Sequence, residues 1–538
     1  MSQTEPKPPP EPRVADEVER CRESGYTPPA RSLPELIASL ASLDDDRALA
    51  VERALARAGR PALALAVSAL GGAHESHRLR LLALLARFST GSLAPTLFEP
   101  LSAALADPSP RCRRLAIRGL GNLEDPRVEG ALLELLRSGP SLDVERALVD
   151  ALGKAGAEQS RAALARRAPG DGDLARRIER AKLLLDRRAR RQQPSALRLD
   201  GALPAPTRVA LTCRRGLASV LADELRAHFM PRVVSATRVE IEHRGTLDAL
   251  LAARTALDFG LVIPLGAGAG AGMIDRIAAR LAAPETLVRL RAWTDGAPRF
   301  RIEWLGGGQQ RALTWALARA IAAATDAVVN DSRGAEWTLR VRAADPRELV
   351  LVPRLNPDPR FAYRVADVPA ASHPTIAAAL ARFAGARTDD VVWDPFTGSG
   401  LELVERARFG PYARLIGSDL EPRALAAAEQ NLASAGIERA RLVRGDALAF
   451  DPGPVSLIVS NPPMGRRVAR DGSLGALLEG FVTRARQLLV PGGRLVWLSP
   501  LDRRTERAAR TAGLAVSRGP SVDLGGFEAV VQVLTRPS

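Results

Sequence analysis

At 538 residues the chain is long for one domain, and about three are expected. Hydrophobic residues make up 46% and aromatics only 4%, so cores are well supplied, chiefly by helix-favouring Ala and Leu. The formal charge of +15 rests almost wholly on arginine, which fits a phosphate-bearing nucleic-acid partner and argues against an acidic, disordered chain.

Residues 1–30 begin M-S-Q-T-E-P-K-P-P-P-E-P; this Pro-rich, charged stretch reads as a disordered tail, not a signal peptide. No apolar run reaches the roughly 20 residues of a membrane span. Cys21, Cys112 and Cys213 lie far apart, with neither metal-ligand spacing nor a disulfide framework. No metal is expected, and a reducing, cytoplasmic setting is the simple reading.

Residues 31–191 carry a helical pattern throughout. L-S-A-A-L-A-D and L-A-I-R-G-L-G-N-L are followed by the similar pair A-L-L-E-L-L-R-S-G and D-V-E-R-A-L-V-D-A-L-G-K-A-G. Leu120-Gly121 recurs as Leu152-Gly153, with Gly placed at helix ends. A period near 30 means an α-solenoid. The segment resembles short HEAT-like repeats, whose face can bind a protein partner or RNA.

Residues 192–206 read as a linker. Residues 207–365 then change to strand–helix–strand units, an α+β module. Strands are expected at Arg208–Thr212, Val233–Ile241, 286–292, 299–304, Thr338–Val341 and Glu348–Val352. Leu217–Phe229, 273–282 and 311–324 are expected as helices, and Leu261–Gly272 as a Gly/Ala-rich loop. C-R-R-G-L-A-S-V-L-A-D-E-L, F-R-I-E-W and D-P-R-F-A-Y-R resemble the THUMP-containing RNA methyltransferases. The resemblance implies a ferredoxin-like plus THUMP-like module that holds structured RNA, with Arg214 and Arg215 among its RNA contacts.

Residues 366–538 alternate strand and helix regularly, as in a Rossmann-like, seven-stranded α/β domain with ligands at the carboxyl ends of its strands. His373, in A-S-H-P-T, reads as a helix-start residue. The stretch V-V-W-D-P-F-T-G-S-G, from Val391 to Gly400, is a strand running into a tight Gly-rich turn. Asp394, Asp419 and Asp446 end successive strands. Their spacing fits S-adenosylmethionine: Gly398 and Gly400, with Phe396 and Thr397, admit its methionine part. Asp419, beside Leu420, can accept the ribose hydroxyls, and Asp446 can take the adenine amine while Ala447 offers its N–H. A dinucleotide fold usually needs G-x-G-x-x-G, which this loop lacks.

L-I-V-S-N-P-P-M-G, from Leu457 to Gly465, ends another strand in an Asn-Pro-Pro corner. An amine conjugated to a ring is a weak nucleophile. Asn461 Oδ1 and the Pro462 carbonyl can accept its two N–H bonds and align the nitrogen lone pair with a sulfonium methyl, so catalysis is chiefly positioning. Here the chain resembles amino-group methyltransferases, and the THUMP-associated RNA guanine-N2 group in particular. That resemblance implies a catalytic set of Asn461, Pro462, Pro463 and Met464, where the family usually has an aromatic ring instead of Met464. Arg466 and Arg467 add phosphate-binding potential. The expected activity is guanine-N2 methylation of rRNA or tRNA. Adenine-N6 or protein-glutamine methylation, or a non-catalytic HEAT-like scaffold with a degenerate methyltransferase domain, are the alternatives.

Overall fold

A computed structural model describes residues 12–167, 170–266, 272–306, 310–342, 347–369, 371–465 and 473–538. They form two compact units, residues 1–193 and 194–538.

The first unit is helical. Residues 12–30 depart from the expected disordered tail: Pro12–Arg20 is a helix, Val18 and Cys21 are buried, and Tyr26 Oη donates to Glu17 at 2.6 Å. The apolar residues there are sparse but fall on one helical face, which a composition argument averages away. Residues 1–11 lie outside the described residues. Glu75–Phe88, Pro110–Leu120, Leu142–Ala155 and Gly172–Gln192 pack against one another in succession. Ser109 and Asp171 cap two of them by accepting from the backbone N–H groups of Cys112 and Leu174. The recurring Leu-Gly pairs mark where these helices meet. A Cβ on Gly121 would lie 2.9 Å from that of Ala151, and one on Gly153 would lie 2.8 Å from that of Ala181. Gly153 sits inside its helix, so its glycine serves close approach and does not end the helix.

The second unit holds two large sheets. The first has eight strands, in the order Arg232–Ser235, Arg238–His243, Thr207–Thr212, Asp258–Pro264, Glu348–Pro353, Trp337–Arg342, Arg299–Leu305 and Val329–Asn330. Asp258–Pro264 pairs antiparallel with Glu348–Pro353, fusing two halves into one sheet. Three expectations change here. Part of the stretch 261–272 is this central strand, apolar because both its faces are covered. Val233–Ile241 is a hairpin, Arg232–Ser235 with Arg238–His243. Residues 286–292 are helical, within Pro284–Ala292; Pro284 and Glu285 suit a first turn and override the strand-like alternation of T-L-V-R-L-R. The expected linker is largely docked: Ser195–Leu197 pairs with Thr294–Gly296, and Leu203 is buried.

In the second sheet we number the strands β1 (Val391–Asp394), β2 (Arg414–Asp419), β3 (Ala440–Arg444), β4 (Val455–Ser460), β5 (Leu489–Ser499), β6 (Ala515–Asp523) and β7 (Glu528–Thr535). Their order is 3-2-1-4-5-7-6; β1 to β5 are parallel, and β7 is antiparallel to both β5 and β6. Helices α1 (Pro374–Ala384), α2 (Leu401–Phe409), α3 (Pro422–Ser434), α4 (Ser473–Leu488) and α5 (Asp502–Thr511) accompany it. The start of β1 is fixed by a buried ion cluster. Asp390 accepts from Arg406 of α2 at 2.7 Å, from Arg494 of β5 at 2.8 and 3.0 Å, and from Ser456 of β4 at 2.8 Å. Arg494 also donates to the Ala384 carbonyl at the end of α1, at 2.6 Å.

The two sheets are joined by a second set of charges. Arg254 makes a bidentate pair with Glu405 of α2, at 2.7 and 2.8 Å, and Tyr363 donates to the same carboxylate at 2.6 Å. Arg382 of α1 donates to Glu224 at 3.0 Å.

Burial opposes ionisation of Asp390, but the hydrogen bonds from Arg494, Arg406 and Ser456 overcome it and hold its carboxyl well below the usual range. That stabilisation is present above the unfolded-state pKa and is lost as pH falls toward the folded one. Asp390→Asn leaves two buried guanidiniums short of a counter-charge and is expected to cost about 3–5 kcal/mol in denaturant unfolding. The variant should also lose part of the parent's acid sensitivity.

Candidate active site

The carboxyl ends of β1, β2 and β4 open on a cleft of about 820 Å³. Of the residues singled out in the sequence, Phe396, Asp419, Leu420, Asp446, Ala447, Asn461, Pro462, Pro463, Met464 and Arg214 line it. Asp419 is fixed by two backbone donors, Gly398 N–H at 2.9 Å and Glu421 N–H at 3.0 Å, each to a different oxygen. Each oxygen keeps a second lone pair. Asp446 is exposed and accepts from Leu448 N–H at 2.9 Å.

Other expected contacts lie behind the cleft wall. Thr397 is buried, with its hydroxyl donated to the Asp394 carbonyl at 2.8 Å, so it shapes the turn. Gly400 has φ +80°, and a Cβ there would come within 3.0 Å of that of Ala428; it serves the packing of α3. Gly398, at φ +52°, has room around it, a Cβ there meeting the Phe396 carbonyl oxygen at an ordinary 3.9 Å. Asp394 is fully buried. Its Oδ1 accepts from Ser460 Oγ at 2.6 Å and Phe396 N–H at 3.1 Å, while Oδ2 has no hydrogen-bonding partner among the described residues.

Arg215 is ion-paired to Glu528 at 2.5 Å and accepts Asp523 N–H at its carbonyl, 3.1 Å. Arg214 donates to the Asp523 carbonyl at 3.2 Å while lining the cleft. A Cβ on Gly216 would fall 2.0 Å from the Ser521 carbonyl oxygen. The C-R-R-G turn thus docks the β6–β7 hairpin, and Arg215, expected as an RNA contact, holds an exposed ion pair with that hairpin. Arg466 and Arg467 lie outside the described residues.

Two side chains that sequence reasoning passed over control Asn461. Its Nδ2 donates to Ser372 Oγ at 2.7 Å, and Ser372 Oγ donates in turn to Glu402 Oε1. Asn461 Oδ1, the remaining amide atom, is buried without a partner among the described residues, in a residue that lines the cleft. The only sequence signal was an acidic residue, Glu402, among the apolar positions of a buried helix. Asn431 was missed likewise; it joins Val365 and Ala366 N–H to the Ser399 carbonyl. His373 caps α1 by accepting from Thr375 N–H at 3.3 Å, as expected of a helix-start residue. Burial, then the charges of Arg214 and Arg364, push its pKa down to about 4, so it is neutral at pH 7.

The donor set suits S-adenosylmethionine. Asp394 Oδ2 is an unpartnered buried acceptor paired with no cation among the described residues, as an ammonium would require. Asp419 offers two free lone pairs for a diol, and Phe396, Ala447 and Leu477 give an apolar wall for a flat ring. No group of His, Cys, Asp and Glu able to hold a metal occurs among the described residues.

Residues 362–528 match the RMKL-like methyltransferase domain family. Residues 98–184 match HEAT repeats. A tRNA (guanine(6)-N2)-methyltransferase of Thermus thermophilus is 36% identical over 167 residues, 30% of this chain and 49% of that one. A release factor glutamine methyltransferase of Deinococcus radiodurans is 35% identical over 161 residues, 26% of this chain and 56% of that one. The chain thus spans about half the length of these curated relatives. The crystal structure of TrmN from Thermus thermophilus is similar at TM-score 0.51 and 27% identity, covering 61% of this chain and 99% of that one.

Burial pushes the Glu402 carboxyl up to about 7, against the lowering effect of the Ser372 hydrogen bond. Ionising it costs more in the folded chain than in the unfolded one, so its contribution to stability falls as pH rises from the usual glutamate range, about 4.3, through 7. Glu402→Gln should flatten that part of the stability–pH curve, measured by denaturant unfolding at a series of pH values.

Proposed function

We propose that the chain is an S-adenosylmethionine-dependent RNA methyltransferase that methylates the exocyclic N2 of guanine in tRNA or rRNA. The observation that carries this reading is Asn461, which lines the cleft, gives its Nδ2 to Ser372 and keeps Oδ1 unpartnered among the described residues. S-adenosylmethionine, when bound, supplies the electrophilic methyl group. Asp419 would hold its ribose, Asp446 and the Ala447 N–H its adenine, and the Asp394 side its methionine ammonium. Asn461 Oδ1 and the Pro462 carbonyl would accept the two N–H bonds of the target amine. Both acceptors draw electron density toward nitrogen and fix its lone pair on the methyl, with no strong base required. Pro462 and Pro463 hold that corner rigid, and Met464 would pack on the base, which must be turned out of a helix to enter.

RNA is favoured over a protein glutamine on three grounds. The guanine-N2 enzyme of Thermus is among the relatives of the domain. The similarity to TrmN extends over more of the chain than the methyltransferase-like domain alone. The charge is +15. The eight-stranded sheet is the counterpart of the ferredoxin-like and THUMP-like module and would hold the RNA, with Arg214 and Arg364 at the cleft. A cytoplasmic setting agrees with three buried, unpaired cysteines.

Incubation with labelled S-adenosylmethionine and unmodified RNA, followed by nucleoside mass spectrometry, should yield N2-methylguanosine; label in protein or N6-methyladenosine instead would overturn the assignment. By calorimetry, Asp419→Ala should weaken cofactor binding on the order of 10²-fold, as expected for losing two charge-assisted hydrogen bonds. Asn461→Ala should lower kcat roughly 10²–10³-fold with cofactor affinity nearly unchanged. Ser372→Ala should lower kcat by roughly tenfold, because it frees the amide to rotate.

A further inference from the structure

The helical unit contains a groove of about 670 Å³ between Glu75–Phe88, Pro110–Leu120 and Leu142–Ala155. Five cationic side chains line it: Arg80, Arg111, Arg114, Arg118 and Lys154. Its two acids are already engaged, Asp45 by Arg80 and Asp150 by Arg177. Arg114 approaches Asp143 at 3.6 Å in an exposed pair that solvent screens. Arg111, Arg118 and Lys154 have no ion pair among the described residues.

The helix Pro110–Leu120 is unusual in its charges. It has four arginines and no acidic residue, and Arg111, Arg113 and Arg114 crowd its first turn. The helix dipole favours anions there, so this placement works against local stability. A local conflict offset only by the exposed Arg114–Asp143 pair and the bond from Arg113 to the Asp107 carbonyl points to an external anion. Arg111, Arg114 and Arg118 share one face at helical spacing and all reach the groove.

We infer that this groove docks the phosphate backbone of the RNA substrate, with Arg111, Arg114 and Arg118 as its phosphate contacts. The inference rests on the RNA reading above for the identity of the polyanion. Among the described residues no aromatic side chain lines the groove, which gives no platform for stacking bases. Its contacts are therefore electrostatic and indifferent to sequence, and the choice of nucleotide stays with the cleft of the other unit. The same lack of an aromatic anchor disfavours an acidic protein as occupant.

The test is fluorescence anisotropy of the full chain, without cofactor, on an unmodified tRNA transcript and on polyglutamate over a range of salt. R111Q/R114Q/R118Q should bind the transcript about tenfold or more weakly at near-physiological salt. The slope of log affinity against log salt should become shallower by roughly two to three. R111K/R114K/R118K should keep most of the affinity, and Arg118→Glu alone should weaken it severalfold. Under saturating RNA, kcat should stay near the parent value while KM rises. An unchanged affinity and slope in the glutamine variant would overturn the inference, as would a loss seen with polyglutamate but not with the transcript. Groove-dependent RNA binding by a chain that transfers no methyl would uphold the docking surface while sinking the enzymatic reading.

Discussion

Asp390 and Asp394 flank the same short strand, and their opposite environments organise the catalytic half of the molecule. Asp390 is buried between Arg406 and Arg494 and is held ionised by them. Two guanidiniums and one carboxylate removed from water are costly, and most of the remaining donors find acceptors, Arg406 Nε being without one among the described residues. Arg406 also reaches the Gly410 and Pro411 carbonyls, and Arg494 reaches Ala384. The cluster thereby locks β1, β4, β5, α1 and α2 at one end of the sheet. At the other end, Asp394 is as deeply buried but paired with no cation among the described residues. Burial, then the nearby charge of Glu402, raises its pKa well above the usual value. A carboxylate left in that state is stabilised by a cationic ligand, and the first acid anchors the strand that presents the second.

The placement of the cleft residues in this half was legible because it is local. A strand ending in an acid, a Gly-rich turn or an Asn-Pro-Pro corner needs only a few consecutive residues to be recognised. Asp419, Asp446, Asn461 and Met464 therefore fell where the spacing put them, around one cleft. The misses share a different origin. Arg215 looked available in sequence because its partner, Glu528, lies more than three hundred residues away. Thr397 and Gly400 sit in the right turn, yet one hydroxyl is turned inward and the other residue is a contact for Ala428. The helix Pro284–Ala292 was misread because its alternating apolar pattern fits a strand until Pro284 is weighed as a helix start.

The C-R-R-G turn shows how a motif can be spent on assembly. Arg214, Arg215 and Gly216 together receive the β6–β7 hairpin, and Leu524 and Phe527 at its tip reach the cleft. The eight-stranded sheet is thereby coupled to the cleft wall at a second point besides the Arg254–Glu405 pair. Two attachments restrict rotation between the sheets more than either alone. An RNA held on the first sheet would then be presented to the cleft in a fixed orientation.

What remains is why Asn461 gives its Nδ2 to Ser372 and leaves its oxygen unpartnered among the described residues. An amide can sit either way round, and the two ends are nearly the same size. Ser372 has one proton, and an ionised Glu402 can only accept it. The serine oxygen is then left as an acceptor, so Asn461 must turn Nδ2 toward it and Oδ1 away from it. A protonated Glu402 could donate to Ser372 instead, which would free the serine proton for Asn461 Oδ1 and allow the amide to reverse. The orientation of the Asn461 amide is therefore set by the charge of a carboxylate two hydrogen bonds away. A buried glutamate is an expensive way to fix a rotamer, but no apolar residue at position 402 could specify which end of the amide meets Ser372.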